Sequence, residues 1–256
     1  MLKEIIGIAK EAGQAMLEIY HDAQDVEISR KDDDSPLTKA DLASHHIIVD
    51  ALKELDPETP IISEESGIPD YEDRKDWGKF WIVDPLDGTK EFIKKNGEFT
   101  VNIALIDDGV PVLGVVYVPD KETTYYAEKG KGSFKQVGAD SPQRIFSSAS
   151  HKDDELTAVQ SRSHGSDKLV QQLKKQGLTV KETVPAGSSI KFCLVAEGKA
   201  DIYPRMGPTM EWDVAAGDAV YRYSAREGVH ESPLTYNKPD LKNGSFLIGL
   251  IKNVEF

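Results

Sequence analysis

The sequence predicts an α/β (α+β) fold built in two parts, and three observations predict it. Residues 100–148 read as successive strands joined by tight turns, the pattern of an antiparallel sheet. In the C-terminal part strands alternate with helices, which argues for an α/β layer. Between the two, Ser147 to Asp154 is small and polar. It is a candidate boundary dividing the chain into 1–150, an α+β part, and 151–256, an α/β part.

The elements follow in order. Leu2, Ile5, Ile6, Ala9, Ala12, Met16, Ile19 and Tyr20 recur at helical spacing, so residues 2–20 form an amphipathic helix. Val26 to Ser29 alternates as a short strand, and Lys31 to Pro36 is a charged turn. Thr38-Lys39-Ala40-Asp41 resembles a capping box with Asp in place of Glu. The helix it opens carries Leu42, Ile48, Leu52 and Leu55 and stops at Asp56-Pro57. Ile61-Ile62 is a strand running into Ser63-Glu64-Glu65-Ser66, and residues 67–79 read as a mobile, charged surface loop.

Phe80 to Val83 is a buried strand, which Asp84-Pro85 is expected to stop because proline cannot donate to a ladder. Asp87-Gly88-Thr89 reads as a turn opening a helix, with Asp or Thr as N-cap. Phe99 to Ile106 and Val112 to Val118 are strands joined by an Asp107-Asp108-Gly109 hairpin turn. Thr123 to Ala127 and Ser133 to Gln136 form a second hairpin around Gly130-Lys131-Gly132. Beyond the boundary, Ala158-Val159 is a strand leading to Ser161-Arg162-Ser163-His164. Residues 166–176 are a helix ending at Gly177. Leu178 to Glu182 is a strand, Ser188 to Glu197 a helix stopped by Gly198, Ala200 to Tyr203 a strand, and Trp212 to Tyr223 a helix.

Composition narrows the function. The chain has 256 residues, 39% hydrophobic and 29% charged, as in an ordinary globular protein with ample core. A formal net charge of −13 argues against non-specific nucleic-acid binding, which needs a basic face. It leaves room for an anionic small molecule if bound cations reverse the local field. Cys193 is the only cysteine, which fits a reducing, cytoplasmic compartment. Met1 to Ile6 does not read as a signal peptide. No apolar run approaches the ~20 residues of a membrane span.

The chemistry centres on Asp84-Pro85-Leu86-Asp87-Gly88-Thr89. Two carboxylates at the end of a buried strand repel each other unless a cation lies between them. Oxygen-only ligation favours a hard ion such as Mg²⁺, with the Leu86 carbonyl as a further donor. The helix start behind Gly88 and Thr89 offers N–H groups to a phosphate. Asp-x-x-Asp alone reads as an acidic surface turn. The apolar strand before it, the proline within it and the Gly-Thr after it favour the metal reading. Glu64-Glu65 is a second acidic pair after a strand, and Glu211-Trp212-Asp213 places an acid at a helix start, where a simple capping role is also available. His164, Ser188, Lys191 and Arg205 are polar or basic residues at element ends. Ser188 and Lys191, three apart, are expected to share a helix face suited to a phosphate.

Glu64-Glu65, the Asp84 motif and Asp213 occur together in an order that resembles the inositol monophosphatase superfamily of Mg²⁺-dependent, lithium-sensitive phosphatases. The resemblance is closest to its CysQ-type 3′(2′),5′-bisphosphate nucleotidases. Its carriers are Asp84 to Phe92, Asn96 to Asn102, Gly187 to Gly198, and Tyr203-Pro204-Arg205 with Gly207-Pro208-Thr209. Lys90-Glu91-Phe92 resembles the nucleotidase branch, whereas residues 120–157 depart most.

The resemblance implies a layered αβαβα sugar-phosphatase sandwich, two or three Mg²⁺ ions and inhibition by Li⁺. It implies metal ligands Glu64, Asp84, the Leu86 carbonyl, Asp87 and Asp213, with Asp41, Glu65 and Thr89 managing the attacking water. Gly88 and Thr89 amides face the scissile phosphate, while His164, Ser188, Lys191 and Arg205 hold the nucleotide and its other phosphate. The implied reaction is hydrolysis of the 3′-phosphate of adenosine 3′,5′-bisphosphate to AMP by metal-activated water, supporting sulfur assimilation. An inositol-phosphate or fructose-bisphosphate phosphatase is the nearest alternative. A non-catalytic sensing domain is a more distant one, against which the complete carboxylate set speaks. A small-molecule nucleotide is the expected partner and the chain a monomer or homodimer. The expected location is cytoplasmic, with peripheral attachment to the inner membrane face as a variant.

Overall fold

A computed structural model describes residues 1–21, 28–30, 36–148, 150, 151, 153–162 and 167–249. Helix α1 (Leu2–His21) is followed by the short antiparallel pair β1 (Ile28–Arg30) and β2 (Pro36–Thr38), then by α2 (Lys39–Leu55). The capping-box expectation rests on Thr38, whose side chain lies outside the described residues. Leu42 does not join the buried face of α2, being 39% exposed. That face instead carries Asp41, Ser44 and His45 beside Ile48, Val49 and Leu52. Ser44 donates to the Pro85 carbonyl and His45 Nδ1 lies 2.9 Å from Ser63 Oγ. This polar half of the helix therefore faces the Asp84 turn.

Strand β3 (Ile61–Ser63) leads through helix α3 (Tyr71–Arg74) to β4 (Lys79–Asp87). The segment expected to be a loose loop is pinned. Arg74 is 1% exposed. Its guanidinium donates to the Pro69, Lys238 and Pro239 carbonyls and to Asn237 Oδ1. The sequence pattern hides this because a lone arginine among charged residues carries no sign of burial.

After β4 come the one-turn helix α4 (Thr89–Ile93) and the strands β5 (Thr100–Asp107), β6 (Val110–Val118), β7 (Thr123–Glu128), β8 (Gly132–Val137) and β9 (Gln143–Arg144). They form a seven-stranded sheet in the order β3-β4-β5-β6-β7-β8-β9. Only the β3–β4 pair is parallel. Asp108 and Gly109 both take positive φ, the geometry of a tight hairpin turn matched to strand twist. Proline does not end β4. The strand continues to Asp87 because the β4–β5 register shifts between Asp84 and Asp87, where one extra residue bulges.

The C-terminal part adds β10 (Glu155–Ser161), α5 (Asp167–Lys175), β11 (Thr179–Ala186), α6 (Ile190–Ala196), β12 (Tyr203–Arg205), β13 (Thr209–Met210), α7 (Glu211–Arg222), β14 (Lys242–Asn243) and β15 (Phe246–Ile248). Strands β10 and β11 pair in parallel, β12 pairs with β15, and Ala158 bridges to Ile202.

The layers follow from which faces are apolar. Ile5, Ala9 and Met16 of α1 and Ile48 and Leu52 of α2 pack on Trp81, Val83, Ile103 and Val115. The opposite sheet face, with Phe80, Ile82, Ala104 and Val116, packs on α6 and α7 through Phe192, Cys193, Ala215, Ala216 and Ala219. The smaller β-layer covers the other side of these helices. Leu169 and Leu173 of α5 close its far face against Leu156, Ala158 and Ile202. The order is α/β/α/β/α, as expected. Gly114 in β6 permits one of the close contacts, since a Cβ there would lie 2.6 Å from the Ala216 carbonyl of α7. Ser147, Ser148 and Ser150 of the candidate boundary are tied in by hydrogen bonds to Ser224 O and Asp201 Oδ1.

Candidate active site

Three elements converge on one point between the large sheet and α7. The parallel β3–β4 register aligns Ser63 with Val83, and the Glu64 N–H donates to the Val83 carbonyl, so Glu64 follows beside Asp84. In a regular strand residues three apart face opposite sides. The bulge between Asp84 and Asp87 removes that alternation, and both carboxyls lie within electrostatic reach of Asp213. Asp213 comes from the first turn of α7. Its Oδ2 accepts the Met210 N–H at 2.8 Å, so the capping role is real and coexists with the site.

One carboxylate oxygen from each of Glu64, Asp84 and Asp213 lies within 4.8 Å of the others. The electrostatics record the crowding. Burial, then the charges of Glu64, Asp87 and Asp213, push Asp84 well above the ordinary carboxylate range. Burial and the Asp87 charge push Asp213 up to about 8. Burial raises Asp87 as well, opposed by the Lys191 charge. Hard oxygen donors converging at this spacing, with protonation as the alternative relief, fit a divalent cation such as Mg²⁺.

The remaining expected residues fall into place unevenly. Asp41, 1% exposed in α2, is close enough to raise the Asp84 pKa. Glu65 is half-buried in the turn after β3, and its charge reaches His45. The Leu86 side chain is in the core. His164 lies outside the described residues. Thr89 opens α4, but neither it nor Asp87 caps that helix. The N-cap is Gly88 in the left-handed region at φ 93, without a side-chain cap. A Cβ on Gly88 would lie 2.1 Å from Ser188 Oγ. Ser188 is not on α6 as expected. It occupies the turn before the helix at φ 47, and Ser189 is the N-cap.

A cleft of about 180 Å³ opens beside the carboxylates, and Asp87, Gly88, Ser188, Lys191, Arg205 and Asp213 all line it. Lys191 Nζ donates to the Ser188 carbonyl at 2.6 Å and sits 5.6 Å from the centre of the Tyr203 ring. Burial lowers its pKa. Arg205 Nε donates to the Gly207 carbonyl at 3.1 Å.

Several neighbours had no site role in the sequence analysis. Lys90, Glu91, Gly187 and Tyr203, quoted there only as carriers of the resemblance, line the cleft together with Ser161. Asn102 Nδ2 donates to Ser189 Oγ at 3.0 Å, and Ser189 Oγ donates to the Asp213 carbonyl. This small relay props the two acidic elements from below. Asn102 carried a usable signal, because an amide inside an apolar strand needs polar partners once buried. Ser161 was an ordinary residue until the fold gathered it.

Residues 1–223 match the inositol monophosphatase family. The chain belongs to the inositol monophosphatase family. That family is metal-dependent, in agreement with the acidic cluster. Family relatives include 3′(2′),5′-bisphosphate nucleotidase CysQ of Salmonella typhimurium, 48% identical over 228 residues covering 86% of each chain. The enzyme of the same name from Escherichia coli K12 is 45% identical over 230 residues, covering 90% of this chain and 89% of its own. The crystal structure of CysQ from Bacteroides thetaiotaomicron superposes with a TM-score of 0.81 at 43% identity, covering 98% of this chain and 97% of that one.

Proposed function

We propose that this chain is a Mg²⁺-dependent 3′(2′),5′-bisphosphate nucleotidase that hydrolyses adenosine 3′,5′-bisphosphate to AMP and phosphate. The observation that carries the proposal is a cleft whose lining combines Asp87 and Asp213, at the edge of the acidic cluster, with the cations Lys90, Lys191 and Arg205. A ligand with two phosphates suits both ends. The name of the curated relatives, 3′(2′),5′-bisphosphate nucleotidase, supports a nucleotide bisphosphate as the substrate class.

In this reading Glu64, Asp84, Asp87, Asp213 and the Leu86 carbonyl hold two or three Mg²⁺ ions. When bound, the ions supply positive charge to the transferring phosphoryl group and lower the pKa of water. Asp41 and Thr89 orient the attacking water and help to take its proton, and Glu65 helps to organise the bound water. The amides of Gly88 and Thr89 face the scissile phosphate. The water oxygen forms the new bond to phosphorus as the bond to O3′ breaks, and O3′ takes a proton from solvent water, which balances the proton given up by the attacking water. His164, Ser188, Lys191 and Arg205 hold the 5′-phosphate and nucleoside, Arg205 in a fork geometry. Residues 1–150 supply the metal-binding part and 151–256 complete the site.

The proposed setting is cytoplasmic recycling of the bisphosphate during sulfur assimilation, as a monomer or homodimer without nucleic acid. No helix among the described residues is long and apolar enough to cross a membrane. A phosphate-release panel tests the proposal with Mg²⁺, comparing adenosine 3′,5′-bisphosphate, inositol 1-phosphate and fructose 1,6-bisphosphate, with and without Li⁺. The nucleotide should lead by at least about tenfold in kcat/KM and Li⁺ should inhibit. Preference for either sugar phosphate overturns the substrate assignment.

A further inference from the structure

Behind the cation end of the cleft lies an ion pair that the proposed chemistry does not use. Glu98, in the short link before β5, is 8% exposed. Its carboxylate accepts Arg162 Nε at 2.9 Å on Oε2 and Arg162 Nη2 on Oε1, a two-pronged contact. Oε2 also accepts the Gly187 N–H at 2.8 Å. Lys121 Nζ stands 3.8 Å away. The Glu98 backbone carbonyl lies 2.7 Å from Ser188 Oγ, which can also reach the Asp87 carbonyl at 2.9 Å.

The contacts connect three places that are far apart in sequence. Glu98 lies two residues before β5 of the large sheet. Arg162 immediately follows β10, and Gly187 immediately follows β11. The turn they grip is under conformational demand, since Ser188 adopts φ 47, which side-chain-bearing residues seldom take up. That same turn supplies the acceptor for Lys191 Nζ and abuts Gly88. Against the upward push of burial, Arg162 and the Gly187 N–H hold the Glu98 carboxyl below its ordinary value.

We infer that Glu98 and Arg162 are positioning residues for the second phosphate. They lock the Gly187–Ser188 turn so that Lys191 and the Ser188 side of the cleft are set before substrate arrives. They act through that turn and not on the reacting atoms, so their loss should weaken binding of the nucleotide end more than it slows phosphoryl transfer. The inference rests on the proposed bisphosphate substrate and names residues on which its recognition depends.

The test uses Glu98→Gln, Arg162→Lys and the double variant Glu98→Gln/Arg162→Gln in the full chain. Gln keeps an acceptor for the Gly187 N–H, and Arg162 has a side chain 45% exposed, so the Lys variant should fold. With Mg²⁺, KM for adenosine 3′,5′-bisphosphate should rise about tenfold while kcat changes less than about threefold. KM for p-nitrophenyl phosphate, which has no second phosphate, should stay at the wild-type value. The double variant should be no worse than Glu98→Gln, because one pair is lost in each. Hydrogen–deuterium exchange should quicken in the peptide around residues 184–191 and not in β4 or β5. A parallel rise of KM for both substrates, or wild-type KM together with unchanged exchange, overturns the inference. The exchange needs no substrate. A wild-type protein that fails to release phosphate from the bisphosphate would refute the proposed function, while the exchange would still decide the positioning role.

Discussion

Asp84→Asn should stabilise the metal-free protein while abolishing its response to Mg²⁺. The substitution keeps size and leaves an oxygen to accept the Leu86 N–H, which Asp84 Oδ1 accepts at 3.1 Å. What it removes is charge. With carboxylate oxygens within 4.8 Å of one another, each ionised pair costs about 3.5 kcal/mol at an effective dielectric near 20. Losing Asp84 deletes two of the three pairs among Glu64, Asp84 and Asp213. The wild type escapes part of this repulsion by retaining a proton, as the raised Asp84 and Asp213 pKa values indicate. The expected net gain at pH 8–9 is therefore smaller, about 2–4 kcal/mol, or roughly 5–15 °C in Tm for a chain of this size.

The pH dependence has a definite sign. These carboxyls have folded pKa values above their unfolded ones, so their contribution is fully present below about pH 4 and is lost as pH rises toward the folded values. For Asp213 that value is about 8. The advantage of Asp84→Asn should accordingly shrink to nothing near pH 4 and be largest above pH 8. Thermal unfolding at several pH values, with chelator or with saturating Mg²⁺, measures both effects. The wild type should gain about 2.7 kcal/mol when Mg²⁺ is at a hundred times its Kd, and the variant should gain none. A variant no more stable than wild type in chelator at pH 8–9, or one still stabilised by Mg²⁺, refutes the reasoning.

Other outcomes follow from single contacts. Gly88→Ala meets both an unfavourable φ of 93 and a Cβ 2.1 Å from Ser188 Oγ, so urea denaturation should show a loss of about 2–3 kcal/mol. Arg74→Ala strips four acceptors of a buried donor. It should lower stability by about 3 kcal/mol in the same assay, and by much less if the segment is loosely held. Arg205→Ala should raise KM for the bisphosphate about tenfold or more and leave a small phosphomonoester nearly unaffected in steady-state kinetics, whereas equal effects remove its proposed role.

The sequence by itself carried the local grammar of this protein. Apolar periodicity marked α1 and the main strands. Asp108-Gly109 and Gly177 marked a hairpin and a helix end. The run from Asp84 to Thr89 announced a hard-cation turn before any partner was in view. These signals are readable because each depends on neighbours a few residues away. Errors arose where a distant contact overrode the local rule. Pro85 lies inside β4 because a bulge absorbs its missing donor. Ser188 stands outside α6 because its hydroxyl meets backbone carbonyls of Asp87 and Glu98. Arg74 is buried because the 237–239 segment supplies carbonyls for it.

Tertiary structure alone decided how the pieces meet. Only the parallel register of β3 on β4 puts Glu64 beside Asp84, and only the packing of α7 against Gly114 brings Asp213 to the same place. Residue types state what charge and donors a chain possesses. Repulsion among carboxylates, and so the affinity for a cation, depends on distances of a few ångströms between residues as much as 149 positions apart, Glu64 and Asp213. No local pattern encodes those distances. They are set by which faces of sheet and helix must be buried together.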